Sequence, residues 1–374
     1  MIFKRLSEIA TIEISGVDKK IVENEIPVKL CNFTDVYYNW EIDSSYSNKF
    51  MLATAKQSEI DKFTLKKNDV VITKDSETKD DIGISCLIKE DLENTILGYH
   101  CALIRPNKNI HGGYLNACLQ SSLARKFFSN QASGSGQRYT LTLIGIGSVK
   151  IPIIPYEEQI KIAQVFSNIN EKISVNNKIN DNLQQLMEIF YDHYFGKLSL
   201  NDQKELFQTI KVSSLLEVKT GKEDANFSNS SGKYNFFTCS KDTLKCDTPA
   251  FFGHAILIAG NGDFNVKHYT GDFNAYQRTY VLIPENDLYY GSIYMSAVKL
   301  IKKFKKASSG SIVKFISKGD VENIQVIIPK DKSLLLQLND YLFSMERNLK
   351  ENEELILIRD TLLLLLMNGQ ATID

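Results

Sequence analysis

Two polar stretches of the sequence bring together side chains that form directional hydrogen bonds. The first is "SGSGQRYT", Ser133 to Thr140, in which small residues precede Gln137, Arg138 and Tyr139. Arginine and glutamine can each make two hydrogen bonds to the edge of guanine or adenine, and small loop residues expose backbone amides to phosphate. This stretch therefore offers side chains and backbone amides that suit the base edges and phosphates of a nucleic acid.

The second stretch is "GNGDFNVKHYTGDFNAYQRTY", Gly260 to Tyr280. Its apolar residues show little periodicity, so we predict a loop-rich segment here. The side chains in it that we predict to contact DNA are Asn261, Lys267, His268, Tyr269, Gln277 and Arg278.

Clusters of positive charge add further candidates. Lys74 and Arg105 lie at the ends of predicted strands, and the segment from Lys299 to Lys318 holds seven lysines and no acidic residue. In that segment the lysines that suit phosphate contacts, which add affinity without reading sequence, are Lys302, Lys303, Lys305 and Lys306. The net charge of −1 and the pI near 6.6 argue weakly against a nucleic-acid partner, but local clusters can outweigh the total. A structural alternative stays open throughout, because lysine runs are usually solvated helix faces and strand tyrosines are usually core.

Motifs for catalysis are missing from the chain. It contains no GxxxxGK[ST] phosphate loop, no HExxH zinc motif and no GxSxG nucleophile motif. Glu157 and Glu158 follow a proline at a predicted helix start, where acidic side chains offset the helix dipole. The cysteines form no CxxC pair and the histidines do not cluster near them, so we expect neither a metal nor a cofactor in this chain and no enzymatic activity of its own.

The elements that position these residues occur twice. Each half has an opening apolar segment, two strand candidates, a helix candidate, a small polar loop and a strand that ends in "IIP". The strand candidates are "DVVITK" (Asp69 to Lys74), "HCALIRP" (His100 to Pro106), "AILIAG" (Ala255 to Gly260) and "TYVLIP" (Thr279 to Pro284). The helix candidates are Tyr114 to Phe128 and Ser292 to Lys306, and the mixture predicts the α+β class.

A long amphipathic helix follows each "IIP". The predicted seam of the first contains Ile162, Phe166, Ile169, Ile173, Ile179, Leu183, Leu186 and Phe190, and that of the second contains Leu338, Leu342, Met345, Leu349, Ile356 and Leu363. A shift of 176 residues places Ile162 on Leu338 and Asn176 on Asn352. Each helix has about 37 residues and would span ~55 Å. We therefore predict two tandem similar domains separated by two long antiparallel helices that form a coiled-coil spacer with pseudo-two-fold symmetry.

The predicted segments are a first globular domain (residues 1–155), a central helix (156–197), a second globular domain (198–330) and a C-terminal helix (331–371). The N-terminus lacks the apolar core of a signal peptide. The longest apolar run, "LLLLLM", is far shorter than the ~20 residues that cross a bilayer. We expect a cytoplasmic protein without a membrane partner.

The order of these elements resembles the specificity subunit of type I restriction-modification systems. The resemblance rests on "PYEEQIKIA" (Pro155 to Ala163), on "GYHCALIRP" (Gly98 to Pro106) and on the duplication, and it covers nearly the whole chain. The second helix departs from the signature, because "PKDKSLLLQL" (Pro329 to Leu338) lacks the Glu-Glu-Gln.

The resemblance implies a non-catalytic subunit whose two domains each read one half of a bipartite DNA site. The helices would set the spacer and dock two modification subunits, which carry S-adenosylmethionine and methylate adenine. A restriction subunit would add ATP- and Mg-dependent translocation and cleavage. Three alternatives stay open: a protein–protein adaptor without DNA sequence preference, a stand-alone nuclease with an unrecognised site, and a specificity chain of a methylation-only system.

Overall fold

The computed structural model describes residues 2–134, 136–195, 206–229, 231–262, 264–308 and 315–367. Contacts divide the chain into two compact units, of which unit 1 comprises residues 1–174 and 352–374 and unit 2 comprises residues 175–351. Each compact unit includes part of both long helices, so the units do not correspond to the four segments predicted from the sequence. The predicted domain boundaries therefore stay predictions.

The described residues of unit 1 form thirteen strands, the start of the first long helix and the end of the second. The strands are β1 (Ile2–Arg5), β2 (Ala10–Ile14), β3 (Ile26–Cys31), β4 (Glu41–Ile42), β5 (Met51–Ala55), β6 (Val70–Thr73), β7 (Asp75–Ser76), β8 (Ser85–Ile88), β9 (Thr95–Leu97), β10 (Cys101–Pro106), β11 (Ser133–Gly134), β12 (Tyr139–Thr140) and β13 (Lys150–Ile153). The helices are α1 (Leu6–Ile9), α2 (Phe33–Tyr37), α3 (Gln57–Phe63), α4 (Gly112–Gln120), α5 (Ser122–Gln131), α6 (Leu143–Gly147) and α7 (Tyr156–Phe195), which continues into unit 2.

A five-stranded sheet in the order β2-β10-β6-β8-β4 forms the centre of unit 1. Both of its faces are covered, which explains the unbroken apolar run in "DVVIT". Val70 and Ile72 face the core that includes Leu115 of α4, whereas Val71 faces a second core built around β3 and β9.

Unit 2 is built around one six-stranded sheet in the order β15-β20-β18-β19-β16-β17. Its strands are β14 (Phe207–Lys211), β15 (Lys219–Thr220), β16 (Tyr234–Phe237), β17 (Leu244–Cys246), β18 (Phe251–Ala259), β19 (Val266–Ala275), β20 (Thr279–Leu282) and β21 (Gln325–Pro329). Its helices are α8 (Tyr290–Ser308), α9 (Lys318–Glu322) and α10 (Lys332–Met367), which continues into unit 1.

The same strand pairing precedes both long helices. In unit 1 the opening strand β1 pairs antiparallel with β13, and in unit 2 β14 pairs antiparallel with β21. Each "IIP" strand is thus fixed against the start of its own half. The duplicated α+β order predicted from the sequence is confirmed.

Two predictions about local structure were wrong. The helix predicted over Tyr114 to Phe128 is broken at Ser121, whose backbone is extended and whose hydroxyl accepts a hydrogen bond from the Ala124 amide, so that Ser121 caps α5. The loop-rich segment predicted from Gly260 contains the ten-residue strand β19, which pairs with β18 and β16. Apolar periodicity is weak there because polar side chains on the strand find partners inside the fold.

The long helices run antiparallel within each unit. In unit 2, Asn176 Nδ2 donates to Glu351 Oε2 at 2.8 Å, and the rings of Phe190 and Tyr341 lie 6.0 Å apart. In unit 1, Arg359 Nη1 donates to Asn170 Oδ1 at 3.2 Å. Among the described residues, no helix combines the length and the apolar character that crossing a membrane requires.

The predicted seam is right at the helix starts and wrong further along α7, and also at Leu349 and Ile356 of α10, which are exposed. Ile162 and Phe166 are buried in unit 1, and Leu338, Leu342 and Met345 are buried in unit 2. Ile179 and Leu186 are exposed instead of buried, and Met187, Tyr191 and Phe195 take the buried positions. The apolar pattern misleads here because polar side chains occupy the seam.

Asn180 is the clearest of these polar seam residues. Its Nδ2 donates to the Met345 carbonyl at 3.2 Å, and its Oδ1 accepts from Asn348 at 2.8 Å. One turn later, Gln184 Oε1 accepts a hydrogen bond from the Tyr294 hydroxyl at 2.8 Å. The bonds of Asn180 favour one register of the two long helices, whereas the Gln184 bond joins α7 to the domain helix α8.

A buried amide side chain joins each long helix to its domain. In unit 1, Gln159 Oε1 accepts from the His111 amide at 2.9 Å, and Nε2 donates to the Asn109 and Ile154 carbonyls. In unit 2, Asn339 Oδ1 accepts from the Gly291 amide at 2.8 Å and Nδ2 donates to the Asp287 carbonyl at 2.8 Å. The second helix, which lacks the Glu-Glu-Gln signature, therefore makes an equivalent contact one turn later.

A glycine at the start of the neighbouring domain helix allows this approach in both units. A Cβ on Gly113 would lie 2.8 Å from Cβ of Ala163, and a Cβ on Gly291 would lie 2.7 Å from Cβ of Leu338. Non-bonded carbon atoms do not approach this closely, so the long helix or the domain helix would have to move.

We predict that Gly113→Ala and Gly291→Ala each lower the free energy of unfolding by about 1–3 kcal/mol, because the added methyl overpacks the junction. Urea unfolding measures both changes. Fluorescence of Trp40, the single tryptophan, monitors Gly113→Ala in unit 1, and circular dichroism of the whole chain monitors Gly291→Ala in unit 2. Gly319→Ala is the control, since the nearest atom to its added Cβ is 3.8 Å away. The junction argument would be wrong if Gly291→Ala were as stable as Gly319→Ala.

Candidate nucleic-acid interface

An open cleft of about 710 Å³ lies at one end of the central sheet of unit 1. Lys74 follows β6, His100 precedes β10, and Arg138 and Thr140 come from the short β11–β12 hairpin, which pairs with β7. The fold thus brings together two of the predicted DNA contacts, Lys74 and Arg138, from distant points in the sequence.

Asp75 organises this cleft. Its carboxylate is almost buried and accepts hydrogen bonds from Lys74 Nζ at 2.7 Å, from His100 Nδ1 at 2.5 Å and from the Thr140 hydroxyl. Burial alone would raise the pKa of Asp75, but the hydrogen bonds from Lys74, Thr140 and His100 outweigh it and lower the pKa to about 2. Asp75 is therefore a fixed negative charge surrounded by cationic and polar groups.

Arg138 lies over this group and still faces solvent. Its Nη2 is 2.6 Å from His100 Nδ1 and 3.0 Å from Nε2, and 3.6 Å from the Asp75 carboxylate, yet its side chain is 61% exposed. Gln137 beside it is exposed. Tyr139 is half-buried, with the Lys79 ammonium 5.4 Å from its ring centre.

Sequence reasoning did not include Asp75 and His100 among the site residues. Asp75 comes directly after Lys74 at the end of a buried strand, and this adjacency was the available signal. His100 has a positive φ of 71°, a conformation that the sequence alone does not reveal for a histidine.

Arg105 has a structural role in the described contacts. Its Nε and Nη2 each donate to the Asp69 carboxylate at 2.8 Å, and Nη2 also donates to the Thr64 carbonyl. This pairing raises the pKa of Arg105. We therefore leave Arg105 out of the interface proposed below.

In unit 2, the predicted contacts fall into two groups. Gln277 and Arg278 are exposed just before β20, and Asn261 is half-buried after β18, where it pairs with Phe315. Gln277 Nε2 donates to Asp224 at 2.6 Å. These residues lie at a strand end, as those of the unit 1 cleft do.

The second group turns into the fold. Lys267 Nζ donates to the Ser240 carbonyl at 2.7 Å, and burial lowers its pKa to about 8. His268 Nδ1 is 3.1 Å from Glu346, and Tyr269 packs on the rings of Phe237 and Phe273. These three residues stabilise unit 2, so we also leave them out of the proposed interface.

Two lysines of α8 form ion pairs with α7. Lys302 pairs with Glu188 of α7 at 2.5 Å, and Lys299 pairs with Asp192. Lys303, Lys305 and Lys306 are exposed. Within the part of the chain that the structure describes, no cluster of three or more histidine, cysteine or acidic residues could hold a metal ion.

A protein-family model accounts for this duplicated architecture. The model is described as the type I restriction modification DNA specificity domain, and it matches residues 3–185 and again residues 204–344. The chain belongs to this family. The resemblance inferred from the sequence and the prediction of two tandem similar domains are thereby confirmed.

Individual members of the family show how far the likeness extends. The EcoDI specificity subunit of Escherichia coli is 35% identical over 187 residues, which are 47% of this chain and 40% of that protein. The putative MjaX specificity subunit of Methanocaldococcus jannaschii is 23% identical over 352 residues, 85% of this chain and 82% of that protein. The crystal structure of the type I restriction-modification S subunit from M. genitalium has the same fold, with a TM-score of 0.53 at 16% identity, over 97% of this chain and 94% of that one.

Acid titration provides a test of the Asp75 cluster in this specificity-domain chain. The pKa of the Asp75 carboxyl is about 2 in the folded state, below the ordinary value of 3.8. The ionised form of Asp75 therefore stabilises the fold above about pH 4. We predict that this contribution, on the order of 2 kcal/mol, is lost as the pH falls from about 4 to about 2, and that Asp75→Asn lacks it at every pH. Urea unfolding monitored by Trp40 fluorescence measures the difference between parent and variant.

The control for this prediction is Asp61→Asn, which changes an exposed carboxylate on α3 and should leave the unfolding curve near that of the parent. A parent-to-Asp75→Asn difference that stayed constant between pH 6 and pH 2 would contradict the assignment.

Proposed function

We propose that the chain is the non-catalytic DNA sequence-recognition subunit of a type I restriction-modification complex. Each domain reads one half of a bipartite site, and the long helices set the spacer between the halves. The observation that carries the proposal is the double match to the specificity-domain family, which supports one such domain for each proposed half-site. The specificity subunits named above support this role by analogy.

The DNA contacts in this proposal come from exposed polar and cationic side chains. Gln137 and Arg138 in unit 1, and Gln277 and Arg278 in unit 2, suit base edges in the major groove. Half-buried Asn261, and Lys74, which pairs with Asp75, add polar groups at the same strand ends. Phosphate contacts fall to Lys303, Lys305 and Lys306 of α8, with Lys302 beside them.

Partner binding in this proposal uses the long helices. Several of their large apolar side chains face solvent within each unit: Leu357 (68% exposed) and Ile358 in unit 1, and Ile189 (66% exposed), Leu186 and Ile179 in unit 2. Apolar surface that remains exposed on helices suits burial against another protein. We assign these faces to two modification subunits, with a restriction subunit completing the complex.

The proposal assigns the chemistry to those partners. S-adenosylmethionine would be bound by the modification subunits, and ATP and Mg²⁺ by the restriction subunit, with none of them held by this chain. Its place of action would be the cytoplasm, where it meets double-stranded DNA.

The test is a genome-wide map of N6-methyladenine in a host that expresses the modification subunit with or without this chain. We predict a split motif, two short specific halves around an unspecified spacer, that appears only when this chain is present. If assembled, active modification subunit gave no new methylation with this chain, the proposal would fail and the adaptor alternative would replace it.

Helix length offers a second test. Deleting residues 168–174 together with 353–359 removes seven residues from each antiparallel partner, including Asn170 and Arg359, which bond to each other. Seven residues correspond to about 10 Å of helix, or about 3 base pairs of B-DNA. We predict that the methylated motif keeps both half-sites and has a spacer about 3 base pairs shorter.

The control carries the deletion in the first helix only, which leaves the two helices unmatched and should abolish methylation. An unchanged spacer in the matched double deletion would show that the helices do not measure the distance between the half-sites.

A further inference from the structure

Both units contain the same backbone frame at the strand end that carries the predicted contacts. In unit 1 the Lys74 amide donates to the His100 carbonyl at 2.9 Å, and in unit 2 the Gly260 amide donates to the Arg278 carbonyl at 2.9 Å. His100 and Arg278 each immediately precede a strand, β10 and β20, that pairs with the strand ending before Lys74 or Gly260. His100 and Arg278 therefore occupy equivalent positions.

A second pair of hydrogen bonds extends the equivalence. The Leu141 amide donates to the Lys74 carbonyl at 2.7 Å, and the Ile316 amide donates to the Gly260 carbonyl at 2.8 Å. Next to these bonds, Thr140 pairs with Asp75 in unit 1, as Phe315 pairs with Asn261 in unit 2. We call the set of Asp75, His100 and Thr140, or of Asn261, Arg278 and Phe315, the strand-end frame.

The side chains of the frame differ between the units although these backbone hydrogen bonds are shared. The backbone conformation differs at one position, where His100 has a φ of 71° and Arg278 does not have a positive φ. A carboxylate, an imidazole and a hydroxyl in unit 1 are replaced by an amide, a guanidinium and an exposed phenyl ring in unit 2. At the junction with the long helix the residues stay alike, with Gly113 and Gly291 at the close approach. Two domains of one fold that read two different half-sites need this combination: a shared pattern of backbone hydrogen bonds with different side chains where the bases are read.

Each frame also presents one exposed arginine, from a different point in the chain. In unit 2 it is Arg278 itself, at the frame position. In unit 1 that position is His100, and Arg138 reaches across from the hairpin to place its guanidinium against the imidazole ring, 2.6–3.0 Å from its nitrogens. A guanidinium that projects from a strand end can form the two-bond contact with O6 and N7 of guanine.

We propose that the strand-end frame is the base-reading site of each domain, and that Arg138 in unit 1 and Arg278 in unit 2 each recognise one guanine of their half-site. This inference rests on the function proposed above and assigns it to particular side chains.

Asp75 is a positioning residue in this site. Its carboxylate holds His100 at 2.5 Å and lies 3.6 Å from Arg138, so it fixes the group on which the guanidinium rests. At that distance Arg138 is oriented but its hydrogen-bond donors are not all consumed, and 61% of its side chain remains open to a ligand. Asn261, the equivalent residue in unit 2, is uncharged, so Arg278 has no such support from its frame.

The experiment maps N6-methyladenine motifs directed by the parent chain and by Arg138→Lys, Arg138→Ala, Asp75→Asn and Arg278→Lys, each with the modification subunit. We expect both Arg138 variants and Asp75→Asn to accept other bases at one G·C position of a single half-site, with the other half-site and the spacer unchanged. Arg278→Lys should relax one position of the opposite half-site. The preference for guanine over the other bases at the affected position should decrease by a factor of about 5 to about 150, the range for the loss of one two-bond base contact.

The variants serve as controls for one another, because those in one unit should leave the other half-site intact. If the parent chain directs methylation of a split motif and Arg138→Ala directs methylation of the same motif, the inference is overturned while the proposed function stands. If Arg138→Ala abolished methylation, the motif of Arg138→Lys would decide. A fully specific Arg138→Lys motif would mean that the positive charge alone suffices and would overturn guanine recognition by Arg138. A relaxed Arg138→Lys motif would support guanine recognition. A full motif from Asp75→Asn would remove Asp75 as a positioning residue, and a parent chain that directs no methylation would overturn function and inference together.

Discussion

The attachment of each long helix to its own domain through one buried amide side chain is the interaction on which the rest of the structure depends. Gln159 and Asn339 satisfy backbone groups at the start of α4 and beside α8, where the helix lies too close for a side chain larger than glycine. A buried amide that lost these partners would leave several polar groups unpaired, which costs about 1–3 kcal/mol for each group. The direction in which the helix leaves the domain is therefore fixed by satisfied hydrogen bonds as well as by apolar packing.

The polar seam between the helices has a related effect. Asn180 bonds to both the backbone and a side chain of α10, and Asn170 bonds to Arg359, whose guanidinium lies 5.1 Å from the Trp40 ring. These contacts are lost if the helices slide by one turn, so they favour a single register. In the proposed function, helices that measure a distance along DNA need a single register, and these half-buried amides favour one.

Electrostatics explains how a chain of almost zero net charge can present cationic sites. Within the fold, Asp69 pairs with Arg105, Glu188 with Lys302 and Asp192 with Lys299, which neutralises these cations. Arg138 and Arg278 remain exposed at the strand ends. Phosphate binding depends on how many positive charges reach the DNA, but base reading depends on a few oriented side chains, so a small number of exposed arginines is enough for specificity.

The sequence by itself determined the α+β class, the duplication, the starts of both long helices and the absence of familiar catalytic motifs. These features are local or periodic: proline after an apolar strand, apolar residues at helical spacing, and a second copy of the same order. Composition also located the polar stretches that contain Arg138 and Arg278.

Only the tertiary structure decided which candidates face solvent and which support the fold. Arg105 and His268 have the same residue chemistry as exposed contacts, but each lies opposite a carboxylate that is far away in sequence, Asp69 or Glu346. The seam of α7 beyond Asn176 was also undecided by sequence, because an asparagine that bonds to a neighbouring helix is indistinguishable in the sequence from one that bonds to water. The pairing of Asp75 with His100 depends in the same way on two strands meeting at one end of a sheet, since partners of this kind are set by strand order rather than by spacing along the chain.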